Sequence, residues 1–468
     1  MKTIKLILSL LFVATFSCTE DFEEVNTDPD KATEVPAHLL LGNLILSTQN
    51  TIYNAQIGGD MGECWIQHWS KVQYNDEARY IPRRGVIDDI WSTLYAFVIE
   101  DAKAMYDLAE IEGNSNLQGI ALVMQANAFQ LLTELYGPIP FDEAVVEGIE
   151  QPAYNTSQEV FAGVIEMLTQ ADGLFSQNTG EITASSDLLY GGDVSKWKKL
   201  ANSLKFKALM RSGGASSELQ ALVGKMFTSN ADSAQLAYLA NDPDANPIFE
   251  TVVFGNRPEY KISDVLVTIM AGDPRLPVYA GENADGNIVG KPAGYSDLPN
   301  DALGFTYANI SPLGDKYLDP LLPGVIMSYA QLQFLMAEAA NEGKISGGIA
   351  AAKTYFDNGI VSNFEFNGLS TGVSYASGIS FASQVDARQK IATQVWIALF
   401  GQGFETWTEW RRTGIPVLTP AVEGAISTIP TRLFYPTTQI SLNKDNYDTA
   451  KGMLNNGDNL DSKLFWTL

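Results

Sequence analysis

Apolar side chains return every three or four residues through most of this chain, and that spacing dictates helices rather than strands. In residues 90–110, Trp91, Leu94, Tyr95, Val98, Ala102, Met105 and Leu108 share one face, with the acids and Lys103 off it. Residues 116–140 repeat the pattern through Ile120, Val123, Ala128, Leu131 and Leu135, and Gly137, Pro138 and Pro140 end it. The short link IEGNSN predicts an antiparallel hairpin of these two helices. Further helices are predicted over 157–175, starting at Ser157 with Glu159 nearby, and over 193–214, from a capping Ser195 to a Gly-Gly stop. Others are predicted at 328–343, 347–362 and 381–403. Helix pairs of this length are of tetratricopeptide type, but the repeat is irregular. The predicted fold is all-α dominated: irregular helix pairs at about 36–215 and 325–403. A loop-rich lobe with short strands, at about 216–324 and 404–468, completes a single domain over 36–468. Gly, Pro, Asn and Asp crowd that lobe; ADGNIV reads as a hairpin turn and IPTRLFYP as an extended piece.

The first residues follow a different rule. Lys2 and Lys5 precede an apolar run over 6–16 and a small Ser17, which is the pattern of a secretory signal peptide over 1–17. The run is too short to cross a bilayer, which needs about 20 residues. Cys18 at the cleavage point predicts lipidation, although Thr15 and Phe16 depart from the residues usual before it. Residues 18–35 then read as a lipidated acidic tether carrying Glu20, Asp21, Glu23 and Glu24. With Cys18 acylated only Cys64 remains, so no internal disulfide forms and stability rests on the core. A net charge of −25 repels phosphate backbones and anionic lipid. Nucleic acid is excluded as a partner, and the membrane is reached through the lipid alone.

Catalytic signatures are sparse. Two histidines, His38 and His68, leave no histidine metal cluster, and there is no P-loop, G-x-S-x-G, H-E-x-x-H or C-x-x-C. Cys64 and His68 have the spacing of a helical pair, but flanking tryptophans favour a packed turn. Asp-rich turns at 242–246 and 283–287 could hold calcium yet lack the full loop spacing, so no cofactor is assigned. The 55 acids leave a surface glycosidase with paired carboxylates as a rival reading. The richest stretch is ECWIQHWSKVQYNDEARYIPRR, residues 63–84. It gathers Trp65, His68, Trp69, Tyr74 and Tyr80 among Asp76, Arg79 and amides. A sugar ring lays its C–H face on an aromatic ring while its hydroxyls need donors and acceptors at the edge, so this composition points to carbohydrate. For Trp65 and Trp69, four apart, one buried helix face is the simpler reading. Loop tyrosines Tyr279, Tyr295, Tyr307 and Tyr317 are further candidates.

Taken in order, Cys18 with DFEEVNTDPDKATEVP, QHWSKVQYNDEARY, IDDIWSTLYAFVIEDAKAM, AFQLLTELYGPIPFDEA, SKWKKLANSLKFKALMR, DPRLPVYA, MSYAQLQFLMAEAA, GFETWTEWRRTGIP, RLFYP and GDNLDSKLFW resemble the SusD/RagB family of Bacteroidetes outer-membrane lipoproteins over nearly the whole chain. The resemblance implies four tetratricopeptide-type helix pairs under a variable loop lobe, and a lipid-anchored place on the outer face of the outer membrane. It also implies a SusC-like TonB-dependent transporter as partner, with oligosaccharide or, in some members, peptide as cargo passed on without chemistry. The acid run would act as a surface-export signal. Trp407, Trp410, Arg411 and Arg412 would tie a helix end to the loop lobe. Asp232–Ala234 and Asp448–Ala450 match an O-glycosylation acceptor pattern of that phylum. A purely structural platform without ligand is the remaining rival.

Overall fold

The apolar stripes become helices in the computed structural model, which describes residues 35–297 and 302–467. Cys18, the signal segment and the acidic tether lie outside the described residues. Helix α1 is His38–Tyr53. A π-helical turn, Ala55–Glu63, follows it. Helix α2, Arg84–Ser92, runs through a second π-helical turn, Thr93–Ile99, into α3, Glu100–Ile111. Then come α4, Ser115–Tyr136, α5, Ser157–Gln177, and α6, Val194–Ser212. The later set is α7, Tyr329–Asn341, α8, Gly348–Phe366, α9, Gln384–Ala398, and α10, Gly403–Thr413. Helices α3 and α4 pack as the expected hairpin; α5 and α6, α7 and α8, and α9 and α10 do the same. Helix α10 begins at the end of the predicted helix-pair segment and runs through residues 404–413, which were read as loop-rich.

Two helix starts fall earlier than expected. Thr156, not Ser157, caps α5: its hydroxyl accepts from the Glu159 amide at 3.3 Å while the Glu159 carboxylate accepts from the Thr156 amide at 2.8 Å. Asp193, not Ser195, caps α6, because its carboxylate reaches the amides of Ser195 and Lys196. At the other end Gly213 takes the left-handed cap at φ 76°, which a side chain would resist.

Strands are few and short. Three antiparallel pairs form: β1, Trp69–Lys71, with β5, Tyr260–Ile262; β2, Ile139–Pro140, with β3, Tyr154–Asn155; and β4, Ala234–Leu236, with β6, Gly324–Met327. The Asn283 turn closes on its own side chain, whose carbonyl accepts from the amides of Asp285 and Asn287, and no ladder follows it. IPTRLFYP is extended but pairs with no strand. Instead the Leu433 amide bonds Leu135 O at 2.7 Å and the Arg432 side chain bonds Tyr136 O at 3.0 Å, fastening it to the end of α4. The TWTEWRRTG helix ties down the same lobe: Trp407 Nε1 donates to Pro430 O, Trp410 Nε1 to Pro416 O, and Arg411 to Glu134 O and Thr431 O. Ser233 of the first glycosylation pattern is buried and accepts from the Tyr329 amide, so it is closed to modification; Thr449 of the second is exposed. No described helix is long and apolar enough to cross a membrane.

The main core runs under the first helix pairs and the loop lobe, and a second cluster of Phe334, Phe356, Ile360 and Phe364 joins α7, α8 and α9. Between them lies a buried ionic network that sequence reading did not find. Arg211 of α6 donates to Glu134 of α4 at 2.8 Å and to Glu409 of α10 at 2.7 Å, and also to Glu405. Arg412, expected to tie the helix end to the loop lobe, instead bridges Glu409 and Glu338 of α7, each at 2.6 Å. Four helices thus meet on two guanidinium forks. Burial alone would raise the Glu409 carboxyl, but Arg412 and Arg211 override it and hold the group at about 2. Its ordinary value is 4.5. A depressed carboxylate stabilises the fold fully above the unfolded value and loses that contribution as pH falls through the folded one. Stability should therefore drop by about 3 kcal/mol between roughly pH 5 and 2 on account of this group. Denaturation at graded pH checks it: Glu409→Gln should flatten that part of the profile.

Candidate functional site

One open cleft of about 430 Å3 coincides with the aromatic stretch. Its lining comes from the π-helical turn after α1, the segment after β1, and the partner strand's approach: Asp60, Lys71, Tyr74, Asp76, Glu77, Arg83, Arg257 and Asp297. The β1–β5 register sets Trp69 against Ile262 and Lys71 against Tyr260. The chain then leaves the strand pair and turns sharply. Tyr74 sits at φ 56°, a left-handed conformation that costs a non-glycine residue about 1 kcal/mol or more. Asp297 holds the turn, accepting from the amides of Tyr74 and Asn75 and, at 2.8 Å, from the Asn75 side chain. The outcome is a tyrosine ring 53% exposed, with the Arg257 guanidinium 5.1 Å from its centre.

The floor of the cleft is ionic. Asp60 and Lys71, both buried, pair at 2.8 Å, and Arg83 reaches Asp60 at 3.2 Å and also bonds Glu77. Burial opposes the charge on Lys71, yet Asp60 more than offsets it and the ammonium is held above its usual range. Asp76 projects at the rim, 3.6 Å from Arg79. A cleft that offers an exposed ring, a carboxylate rim and guanidinium forks can stack on one face of a sugar and bond its hydroxyls.

Other residues expected at the site are placed elsewhere. Trp65 is fully buried, donates from Nε1 to Glu77 O at 2.8 Å and packs edge-on against Trp407. Trp69 is buried against Tyr260 and Phe400. Neither tryptophan shares a helix face, since residues 64–68 are a turn and Trp69 begins β1. His68 is buried, with Nδ1 2.8 Å from Glu63 and its ring 4.2 Å from Trp396; its partner is that carboxylate, not Cys64. Burial pushes the Cys64 thiol far up, which removes it as a nucleophile. Tyr80 is buried, accepts from the Ala421 amide at 2.7 Å and is pushed up to about 12 by burial. These four are corrected from ligand contacts to the packed bed under the turn. Tyr279 and Tyr317 are also core, gathered around Phe400.

Arg79 donates to Glu423 O at 3.0 Å and braces the 419–425 loop rather than lining the cleft. Tyr307 is 43% exposed and donates to Gln73, next in sequence to Tyr74, at 2.7 Å. Tyr295 is half-buried against Phe305, outside the cleft lining. Arg257, Asp297 and Arg83 were missed as contacts; Arg83 at least falls within the stretch 63–84, whereas Arg257 and Asp297 lie far off in sequence. Among the described residues no cluster of three or more His, Cys, Asp or Glu side chains could hold a metal ion, so the Asp-rich turns offer calcium no such donor set.

A family model described as starch-binding associating with outer membrane, that of SusD-like proteins, matches residues 29–436. The chain belongs to the SusD-like family. Solved structures agree on the fold. A SusD homolog from Bacteroides uniformis superposes with a TM-score of 0.82 at 21% identity, covering 93% of this chain and 100% of its own. A SusD-like protein from Bacteroides thetaiotaomicron gives 0.78 at 25%, covering 92% and 99%. A chitin-binding SusD homolog from Flavobacterium johnsoniae gives 0.76 at 21%, covering 92% and 96%. None of the curated proteins matches. This SusD-like chain therefore shares its helix-pair frame with relatives of well under one-third identity. The cleft is built from a turn and two loops laid over that frame.

Proposed function

We propose that this SusD-like protein is a cell-surface lipoprotein that binds oligo- or polysaccharide in the Tyr74 cleft and delivers it to a SusC-like TonB-dependent transporter, altering no bond. The observation that carries the reading is the exposed Tyr74 ring, raised on a strained turn and edged by Arg257, Asp76 and Asp297. The starch-binding description of the family and the chitin-binding homolog from Flavobacterium johnsoniae point the same way. Most of the cleft carboxylates are already engaged: Asp60 by Lys71 and Arg83, Glu77 by Arg83, Asp297 by backbone amides; Asp76 alone of the lining acids stands loosely paired on the rim, 3.6 Å from Arg79. A glycosidase needs one free acid and one free base flanking the bond, and this set favours holding over cutting. Anchoring through Cys18 and export by the acid run would place the cleft outside the cell, beside the transporter.

Calorimetry against starch, chitin oligosaccharides and other soluble glycans tests this. Tyr74→Ala should weaken the bound glycan about 3- to 10-fold, the worth of one stacking contact, with an unchanged melting temperature because the ring is exposed. Peptide binding with silence across the glycans would turn the reading to a peptide-capturing member. New reducing ends after incubation would make it an enzyme.

A further inference from the structure

We propose a second ligand site, a cavity of about 460 Å3 beside the C-terminal end of α8 that takes an acidic sugar: a uronate-sized polyhydroxy carboxylate, its acid group on Lys316 and its hydroxyls on Gln402 and Gln235. It shares no lining residue with the Tyr74 cleft, and its volume falls among those of small-molecule sites.

The argument begins with a charge. Lys316 Nζ donates to Phe366 O and lies 4.4 Å from the centre of the Phe366 ring. Among the described residues it forms no ion pair. Burial depresses this ammonium, and Asp319, on the same turn, only partly opposes that. An ammonium with spare N–H donors, partly desolvated and facing a cavity, is completed by a carboxylate from outside. Glu365, the acid that lines the cavity, is exposed and bound by the Asn230 side chain at 2.6 Å.

The second observation is an amide. Gln402 is more than nine-tenths buried and lines the cavity, yet its side chain makes no hydrogen bond to a described residue. Buried amides are almost always bonded, and one that offers both a donor and an acceptor suits a hydroxyl. Gln235 on β4 adds a second free amide. Pro323, Val325 and Ala398 complete the wall with apolar surface for the C–H face of a ring. The pattern of one cation, two amides and an apolar wall fits a sugar acid better than a neutral sugar, which would leave the cation unpaired.

Galacturonic and glucuronic acid are the probes, with galactose and glucose as controls, titrated by calorimetry and ligand-observed NMR on the whole mature chain. A uronate should bind about tenfold more tightly than its hexose, the worth of one charge-assisted bond. Lys316→Met should erase that preference, Lys316→Arg should keep it, and Gln402→Ala should weaken binding by a factor of several without changing the preference. Tyr74→Ala should leave uronate binding untouched while it weakens glycan binding at the cleft. No uronate binding, equal affinity for the neutral hexoses, or a preference that survives in a folded Lys316→Met protein would overturn the assignment. Loss of uronate binding in Tyr74→Ala would overturn it as well, by locating the uronate in the cleft.

Discussion

Arg211→Ala should cost this protein about 4 kcal/mol, enough to unfold much of it near physiological temperature. The guanidinium is fully buried and faces three carboxylates, Glu134, Glu405 and Glu409, from two other helices. Removing one partner of a buried ion pair is strongly destabilising because the remaining charges stay desolvated without compensation. Lys207, 3.6 Å from Glu405, and Arg412, on Glu409, cannot replace it, and among the described residues the Glu134 carboxylate would lose its one ion pair, since Arg411 bonds only its backbone carbonyl. Two readouts separate this cause from simple loss of packing. The variant's deficit should shrink on acidification from pH 7 to 5, since orphaned buried carboxylates take up protons readily. Adding Glu405→Gln should recover part of the loss. A deficit independent of pH and of that second change would mean the network is worth no more than its volume.

Gly403→Ala should be nearly as severe, at about 3 kcal/mol or more. A Cβ on Gly403 would stand 2.2 Å from Gly58 O and 2.6 Å from the Glu63 amide nitrogen. A Cβ on Gly62 would meet Gly403 at 2.4 Å. The neighbours are backbone on both sides, so no rotamer change relieves the overlap and α10 must lift from the π-helical turn 55–63. That turn carries Asp60, the centre of the cleft floor. The expected signature is thus double: a lower denaturation midpoint, and weaker glycan binding in whatever fraction remains folded. Gly85→Ala, on the exposed start of α2 with nothing within 4 Å, should change neither and serves as the control.

The frame was legible because helical spacing records which face is buried, and it does so locally. The stripe through Trp91, Leu94 and Val98 is buried as read, even though a π-helical turn interrupts the rod. The caps were misplaced by one or two residues because Thr156 and Ser157, or Asp193 and Ser195, are equally good cap chemistry, and only the backbone torsions choose between them. The site was half legible. Its stretch was found, but composition does not tell an aromatic that faces outward from one that faces inward. Tyr74 and Tyr80 both take a left-handed backbone, at φ 56° and 70°, yet Tyr74 points out while Tyr80, like Trp65 and Trp69 in the same stretch, points in. Arg257 and Asp297 join the cleft from over 150 residues away, which no local pattern records. The buried network was illegible for a related reason. Glu134, Arg211 and Glu409 look like ordinary polar positions until the packing of α4, α6 and α10 brings them together.

The Tyr74 turn hangs on its surroundings by main-chain amides and one carboxylate, while the rings beneath it do the packing. The lettering of the turn can therefore change without disturbing what lies below, provided Asp297 and the backbone bend persist. Such a surface is free to be rewritten for a new diet, one side chain at a time, by an organism that keeps the same chassis.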